Sequence, residues 1–565
     1  MTESTKGKEI GLSEQGGSEL GSGASHGRAR PRRRWDDRYP AQAGRILDPA
    51  AVTVDGIRAY PSSYIPDRIL VSTLADVAAN AERLGRVAGE LGWDLTRDER
   101  FVTSLLPEPD ASRQERVRRY PWATGVLGVS RFLITARVGE AVPAPDAWTL
   151  LQRARALLGR DAVQGVGLDH LLTVDSIGVN PFHSTNPFHS TNPFHSTNPF
   201  HSTNPAGSSV DVGAIASYGS QGSGGLQPVA YAGAAPHRRD RTTDDGRRPV
   251  VATLDTGCGP HSWLDPIVNT AVLLDGVPIG HVGAATDPEL DGDLVGPLDG
   301  ALDEVSGHGT FIAGLIHQAC PEADIVTWRV VDATGVIVES ELVAALTAIA
   351  TLIGRAAQGR SDGCDIDVFS LSMGYYHETP EDGLFDPTMY ELLASMGRCG
   401  TVVVCSAGND ATDRPMFPAA FAPWLGGGGP VHLVEDAVPI VAARALNPNG
   451  STVALFSNDG PWVSCSAPGG SVFSTMPAFN GGDQPLARVS SDFGSGIRMR
   501  ESIDPDDFRG GFAIWSGTSF AAPLIAGAVA SALDAGPLPR AGSGSVAERV
   551  KLATAALQKV TAAAR

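Results

Sequence analysis

Between Leu74 and Leu91 apolar residues return every third or fourth position, at Leu74, Val77, Ala81, Leu84, Val87 and Leu91, with Ala78 and Ala88 widening the same face. That spacing predicts an amphipathic helix with one buried stripe. The run Arg68-Ile69-Leu70-Val71-Ser72 just before it predicts a short strand. A second pair follows: Phe132 to Val138 reads as a strand, and Asp146 is placed to cap a helix carrying Leu150, Leu151, Ala154, Leu157 and Leu158. Two such strand-helix units predict a small α+β module.

The pattern changes after Arg247-Arg248-Pro249. Val250 to Leu254 is a nearly unbroken apolar run that ends in Asp255-Thr256-Gly257, as expected when a buried parallel strand presents a carboxylate at its C-terminal edge. Two helices are predicted to be apolar nearly all round, one from His308 through Ile316 and one from Ser519 through Ala530. The second is bounded by Ser516 and Asp534, which marks a core helix and not a membrane span. Near the end, Val546, Val550, Ala553, Leu557 and Val560 line one face of an amphipathic helix expected to pack on the larger unit.

These patterns divide the chain. Residues 1–56, rich in Gly, Ser and Arg, are predicted to be a disordered tail, with the arginines of Arg28 to Arg34 leaving open a docking arm for an acidic partner. Residues 57–176 hold the α+β module, 177–247 a linker, 248–537 the larger unit and 538–565 the last helix. Within the linker the hexapeptide Asn-Pro-Phe-His-Ser-Thr occurs four times in a row from Asn180 to Thr203. Proline every sixth residue excludes a helix or central strand there, and six residues are too few for most self-packing repeats. Docking through the phenylalanines, or metal binding by His183, His189, His195 and His201, stays open beside the plain linker. The charges from His237 to Arg248 are expected to be solvated, with Arg238-Arg239 and Arg247-Arg248 as alternative cleavage sites.

Composition narrows the functional classes. A formal charge of −19 argues against a nucleic-acid partner, since phosphate contacts need a surplus of Lys and Arg on one surface. Met1 to Gly23 carries no apolar h-region and no uninterrupted apolar run reaches membrane length, so no membrane partner is expected. Six scattered cysteines without metal-like pairs suit buried thiols in a reducing compartment, and a cytoplasmic location is the expectation.

The chemistry lies in three segments. Asp255-Thr256-Gly257 is weak evidence alone. Gly307-His308-Gly309-Thr310 puts a histidine at the start of an apolar helix, and Gly517-Thr518-Ser519-Phe520-Ala521-Ala522-Pro523 puts a serine at another helix N-terminus, beside free backbone N–H groups. Taken in order, these segments resemble the subtilisin family of serine peptidases, whose Asp, His, Ser order is matched here. Ser406-Ala407-Gly408-Asn409 resembles the family strand ending in an oxyanion-hole asparagine, and Ser370-Leu371-Ser372-Met373-Gly374 the strand that lines the specificity pocket. Phe456 to Gly460 and Ala467-Pro468-Gly469 match further family stretches. The likeness runs over about residues 248–535, with apparent insertions at Val282 to Ser306 and Phe479 to Gly511 expected to be surface loops.

The resemblance implies an α/β catalytic unit of central parallel sheet flanked by helices, and an acyl-transfer mechanism on a protein or peptide substrate. In it Ser519 attacks, His308 is the general base and acid, Asp255 orients His308, Asn409 donates to the oxyanion, and Ser372, Met373 and Gly374 bind substrate. No cofactor is required for that chemistry and no metal site is expected. The acidic run at Asp287, Glu289, Asp291, Asp293, Asp299, Asp303 and Glu304 reads as a solvated loop or a structural calcium site. The module at 57–176 reads as a prodomain or as a domain that, with the repeats, binds a regulatory protein. The rival to catalysis is a silent peptide-binding or scaffold protein of the same fold.

Overall fold

The computed structural model describes residues 44–101, 103, 110–139, 141–174, 214–215, 217–220, 222–241, 246–295, 302–380, 386–479, 488–492, 497–501, 507–536, 538 and 545–564. The arginine run Arg28 to Arg34, the hexapeptide repeats and Asp299 lie outside them.

The N-terminal module is built as β1 (Ser63–Ser72), α1 (Val77–Glu90), β2 (Trp93–Arg97), α2 (Asp110–Arg119), β3 (Val129–Ala136), α3 (Ala147–Leu158) and β4 (Val166–Val174). The strands lie antiparallel in the order β4-β1-β3-β2. Asp76 and Asp146 cap α1 and α3 by accepting from the amides of Ala79 and Thr149. Leu84, Val87 and Ala88 of α1 and Trp148, Leu151 and Ala154 of α3 form one core with Ile69, Val71, Phe132 and Leu168 of the sheet. Leu157 and Leu158, expected in the buried stripe, are exposed at the C-terminal end of α3. The order also begins before residue 57. Arg45–Ile46 pairs with β1 and Leu47 is fully buried in the module core, so apolar burial pulls this part of the expected tail into the fold.

The larger unit carries β5 (Val250–Asp255), β6 (Val268–Asn269), α4 (His308–Ala319), β7 (Asp324–Arg329), β8 (Val336–Val338), α5 (Glu339–Ala357), β9 (Val368–Leu371), β10 (Met373–Gly374), α6 (Thr388–Arg398), β11 (Val402–Ser406), β12 (Val441–Leu446), β13 (Cys465–Pro468), α7 (Thr518–Leu533) and α8 (Val546–Ala563). Seven of these strands form a parallel sheet in the order β13-β12-β11-β9-β5-β7-β6. Helices cover it, so its strands are apolar on both faces. The order turns back on itself at β5, whose neighbours are β7 and β9; such a switch point opens a crevice at the strands' C-terminal ends. Asp255 is the last residue of β5. Among the described residues α5 is the one helix long and apolar enough to cross a membrane, yet 72% of its apolar window is buried inside the fold, as in a core helix.

The stretch before β5 is not solvated chain. Arg238 pairs with Asp324, Arg239, Arg241 and Arg248 with Glu322, Arg241 also with Asp534, and Arg247 with Asp367. Gln227–Val229 adds a strand beside Phe512–Trp515. Carboxylates on β7, β9's approach and the end of α7 thus hold the part of the linker nearest the large unit against it. None of the six cysteines forms a disulfide.

Candidate active site

Two helix N-termini converge on the C-terminal edge of β5. Gly307 takes a left-handed φ of 83° to turn the chain into α4, and a Cβ on Gly309 would stand 2.0 Å from the carbonyl oxygen of Gly257. Only glycine permits that approach, which brings His308 onto Asp255. His308 Nδ1 donates to Asp255 Oδ1 at 2.7 Å, and both residues are fully buried. The same Oδ1 accepts from Thr256 N at 2.8 Å and Thr256 Oγ1 at 3.1 Å. The imidazole is wedged against Trp515 and Phe520, with ring centroids at 5.6 Å and 5.4 Å. Its Nε2 has no hydrogen-bond partner among the described residues.

Ser519 is the second residue of α7, next to Phe520 and fully buried. Its Oγ donates to the carbonyl of Ser372 at 3.4 Å and makes no hydrogen bond to His308. Pro523 explains part of this local order. It has no N–H for the carbonyl four residues earlier, and Ser372 Oγ donates to that Ser519 carbonyl instead, at 3.0 Å. Ser372 therefore ties β9's end to α7. Asn409, just past β11, accepts at Oδ1 from Thr518 N and Thr518 Oγ1, both at 2.9 Å. This orientation leaves its buried Nδ2 donor, beside the helix N-terminus, without a partner among the described residues. Four of the sequence candidates, Asp255, His308, Asn409 and Ser519, thus gather where a carboxylate, an imidazole with one open nitrogen, a hydroxyl and free N–H donors meet.

Met373 and Gly374 do something the sequence did not foretell. As β10 they pair with Val174 and Thr173 of β4, while on the other side Val336, Ile337 and Val338 of β8 pair with Thr173, Leu172 and Leu171. Val174 N donates to Gly335 O at 3.2 Å. The last strand of the N-terminal module lies antiparallel between two strands of the large unit, beside the buried cluster.

Within the acidic run, Glu289, Asp287 and Asp303 are folded against protein donors. Glu289 is 1% exposed and lies under the Asp255-Thr256 turn, accepting from Thr256 Oγ1, from Gly309 N at 2.9 Å and from Thr310 Oγ1 at 2.5 Å. Burial pushes its carboxyl up to about 7. Asp287 pairs with Arg329, and Asp303 accepts from the amides of Leu294 and Val295. These oxygens are spent on protein donors. Among the described residues one group has a metal-ligand composition, His170, His377 and Glu378, with ligand atoms within 4.8 Å. His170, however, directs Nδ1 to Glu339 Oε2 at 2.5 Å and Nε2 to Glu378 Oε2 at 2.7 Å, so neither ring nitrogen keeps a lone pair for a cation.

The chain is similar to several known proteins. Over 300 residues the chain is 24% identical to an intracellular serine protease of Paenibacillus polymyxa, spanning 50% of this chain and 66% of that one. It is 29% identical over 197 residues to subtilisin-like protease 1 of Arthroderma otae, 34% of each. The matches thus leave a third or more of each relative uncovered. Fervidolysin from Fervidobacterium pennivorans, a keratinolytic enzyme related to subtilisin, aligns with 85% of this chain and 55% of its own at 17% identity and a TM-score of 0.38. The subtilase family model matches residues 246–562, over half of the chain and every element that carries Asp255, His308, Asn409 and Ser519, and the chain belongs to that family.

Proposed function

We propose that the chain is a serine endopeptidase of subtilisin type whose N-terminal module occupies its own substrate cleft. The observation that carries the reading is the buried Asp255–His308 pair at 2.7 Å, its Nε2 without a partner among the described residues and its ring packed on Phe520 of α7. In the reaction Ser519 Oγ attacks a peptide carbonyl and passes its proton to His308 Nε2, with Asp255 fixing the tautomer through Nδ1. The tetrahedral oxyanion falls to Asn409 Nδ2 and the Ser519 backbone N–H. His308 then gives the proton to the leaving amine, which departs and leaves an ester on Ser519. Water, deprotonated by His308, hydrolyses that ester and returns the serine. No step calls for a metal or organic cofactor.

The placement of β4 supports the regulatory half. Extended peptides are held by adding a strand to an exposed edge. Here the edges of β8 and β10 are both filled by residues Leu171 to Val174, where the acyl side of a substrate would lie. On this reading the module is an inhibitory prodomain, and the free enzyme appears when β4 leaves or is cut from the large unit.

The orientation of Ser519, bonded to Ser372 and not to His308, favours a second reading in which the same fold only binds peptides. Intact-mass analysis with a fluorophosphonate probe separates the two. Labelling of wild type but not Ser519→Ala supports the peptidase, and wild-type-only cleavage between Asp175 and Arg248 supports the prodomain. Absence of labelling in the full chain and after limited proteolysis of the module leaves the binding reading.

A further inference from the structure

His170 is the part of β4 that backbone pairing does not explain. It sits one residue before the stretch held by β8 and β10, 1% exposed, with its imidazole between Glu339 and Glu378. The ring stacks on Tyr375 at 4.6 Å and 29°, and Tyr375 Oη donates to Glu339 Oε1 at 3.2 Å. Two carboxylates on the large unit thus clasp one cation of the module. Glu378 is fully buried, and its Oε1 still has no hydrogen-bond partner among the described residues, so the position is acidic beyond what His170 satisfies.

The surroundings keep that sign once β4 is absent. Glu339 opens α5 and Glu378 follows β10, so both stay with the large unit. His377, at 5.1 Å from the His170 ring, is held neutral by burial, its pKa pushed down to about 4. Arg155 belongs to α3 and leaves with the module. Arg414 remains, but lies over the Tyr376 ring at 4.7 Å and donates to the His377 carbonyl. Two carboxylates against one guanidinium leave a net negative pocket with an aromatic wall.

We propose that Glu339, Glu378 and Tyr375 form a subsite for a basic side chain of the substrate, at the strand position that His170 fills in the full chain. The inference rests on the peptidase reading and names the substrate class that reading leaves open: segments with Arg or Lys on the acyl side, several residues before the cut. An arginine can meet two carboxylates with its planar fork and lie on the tyrosine face. A glutamate there would face two buried like charges.

Full-chain variants at residue 170 test the charge requirement in place, with the labelling rate of Ser519 by a fluorophosphonate as the readout of strand release. His170→Arg and His170→Lys should label within about threefold of wild type, while His170→Gln and His170→Glu should label at least about tenfold faster. A role in mere space filling predicts the reverse, with Gln tolerated best, and that ranking overturns the subsite. In a second measurement wild type and Glu339→Gln digest unfolded casein and the cuts are mapped by mass spectrometry. The subsite predicts Arg and Lys enriched at one fixed position upstream of the cut, with the enrichment lowered in Glu339→Gln. Cuts without such enrichment overturn the subsite and leave the peptidase standing. Neither labelling nor cutting in any variant overturns the peptidase and the subsite with it.

Discussion

His308 and His170, both buried, are treated in opposite ways. His308 has one carboxylate, on Nδ1, and an open Nε2; His170 has a carboxylate on each nitrogen. Burial alone would drive the proton off the His170 ring. At His170 burial lowers the pKa, but the charges of Glu339 and Glu378 and the bonds to them outweigh it and raise the value to about 10. A histidine built to hold engages both nitrogens and stays charged, whereas one built to pass a proton keeps one nitrogen unengaged. Counting carboxylates around the ring separates a clasp from a general base where burial does not.

The comparison breaks most sharply at the proton-passing centre. Ser519→Ala should lower kcat by on the order of 10^4-fold or more, a size carried over from subtilisin itself, with the fold intact by circular dichroism. Comparable turnover in that variant would remove Ser519 from the role of nucleophile. At the clasp, His170→Ala leaves two carboxylates buried without their cation. Breaking such a pair costs about 3–5 kcal/mol, and here much of it should appear as release of β4, seen as faster amide exchange over Val166–Val174. Unchanged exchange would mean that the strand is held by backbone pairing alone. Asn409→Ala should follow, with kcat down about 10^2- to 10^3-fold, again subtilisin's magnitude for one oxyanion donor, and KM nearly constant. A rise in KM at constant kcat would assign Asn409 to ground-state binding.

The two centres also differ in how far the sequence disclosed them. Asp255, His308, Asn409 and Ser519 stand in short local motifs, because a helix start, a strand end and a close glycine contact are each set by neighbouring residues. The parallel sheet was legible for the same reason, in runs such as Val402 to Cys405 that are apolar on both faces. His170, Glu339 and Glu378 are separated by long stretches of chain and meet only because β4 inserts between β8 and β10. No local pattern encodes that meeting. Glu289 was visible only as one acid in an acidic run, and its burial depends on where the run folds back. The pairing of Arg238 to Arg248 was hidden likewise, since Glu322, Asp367 and Asp534 all follow them far along the chain.

Titration sharpens the clasp. The folded pKa of His170, about 10, lies above its unfolded value of 6.5, so its contribution to docking is complete below pH 6.5 and is lost as pH rises toward 10. His377, lowered to about 4 by burial, works the other way, losing stability as pH falls from 6.5 to 4. Asp169 and Asp386, raised by burial to about 6 and about 7, complete their own losses by about pH 8. The clean window is therefore above about pH 8. There the wild-type labelling rate, divided by that of His170→Arg, should climb by at most about tenfold per pH unit. A flat ratio would show that His170 is not the charge that holds the strand.

The smallest effect belongs to Glu289, which bears on the proton-passing centre from behind. The single Thr256 hydroxyl proton has two acceptors, Asp255 Oδ1 and Glu289 Oε1. When Glu289 is ionised it draws that proton, leaving Asp255 to face His308 with fewer competing donors and a stronger pull on the imidazolium formed in the reaction. When Glu289 is neutral the hydroxyl is released to Asp255 and the pull weakens. Its folded pKa of about 7 lies above its unfolded value of 4.5, so the carboxyl costs stability as pH rises from 4.5 through 7, while its ionisation strengthens the pair. Glu289→Gln imitates the neutral form. It should lower kcat by less than about tenfold at pH 8 and hardly at all at pH 6, leave KM alone, and raise the relative Tm as pH increases. An equal loss at both pH values would make Glu289 a packing residue, and a loss confined to KM would move it into the substrate cleft.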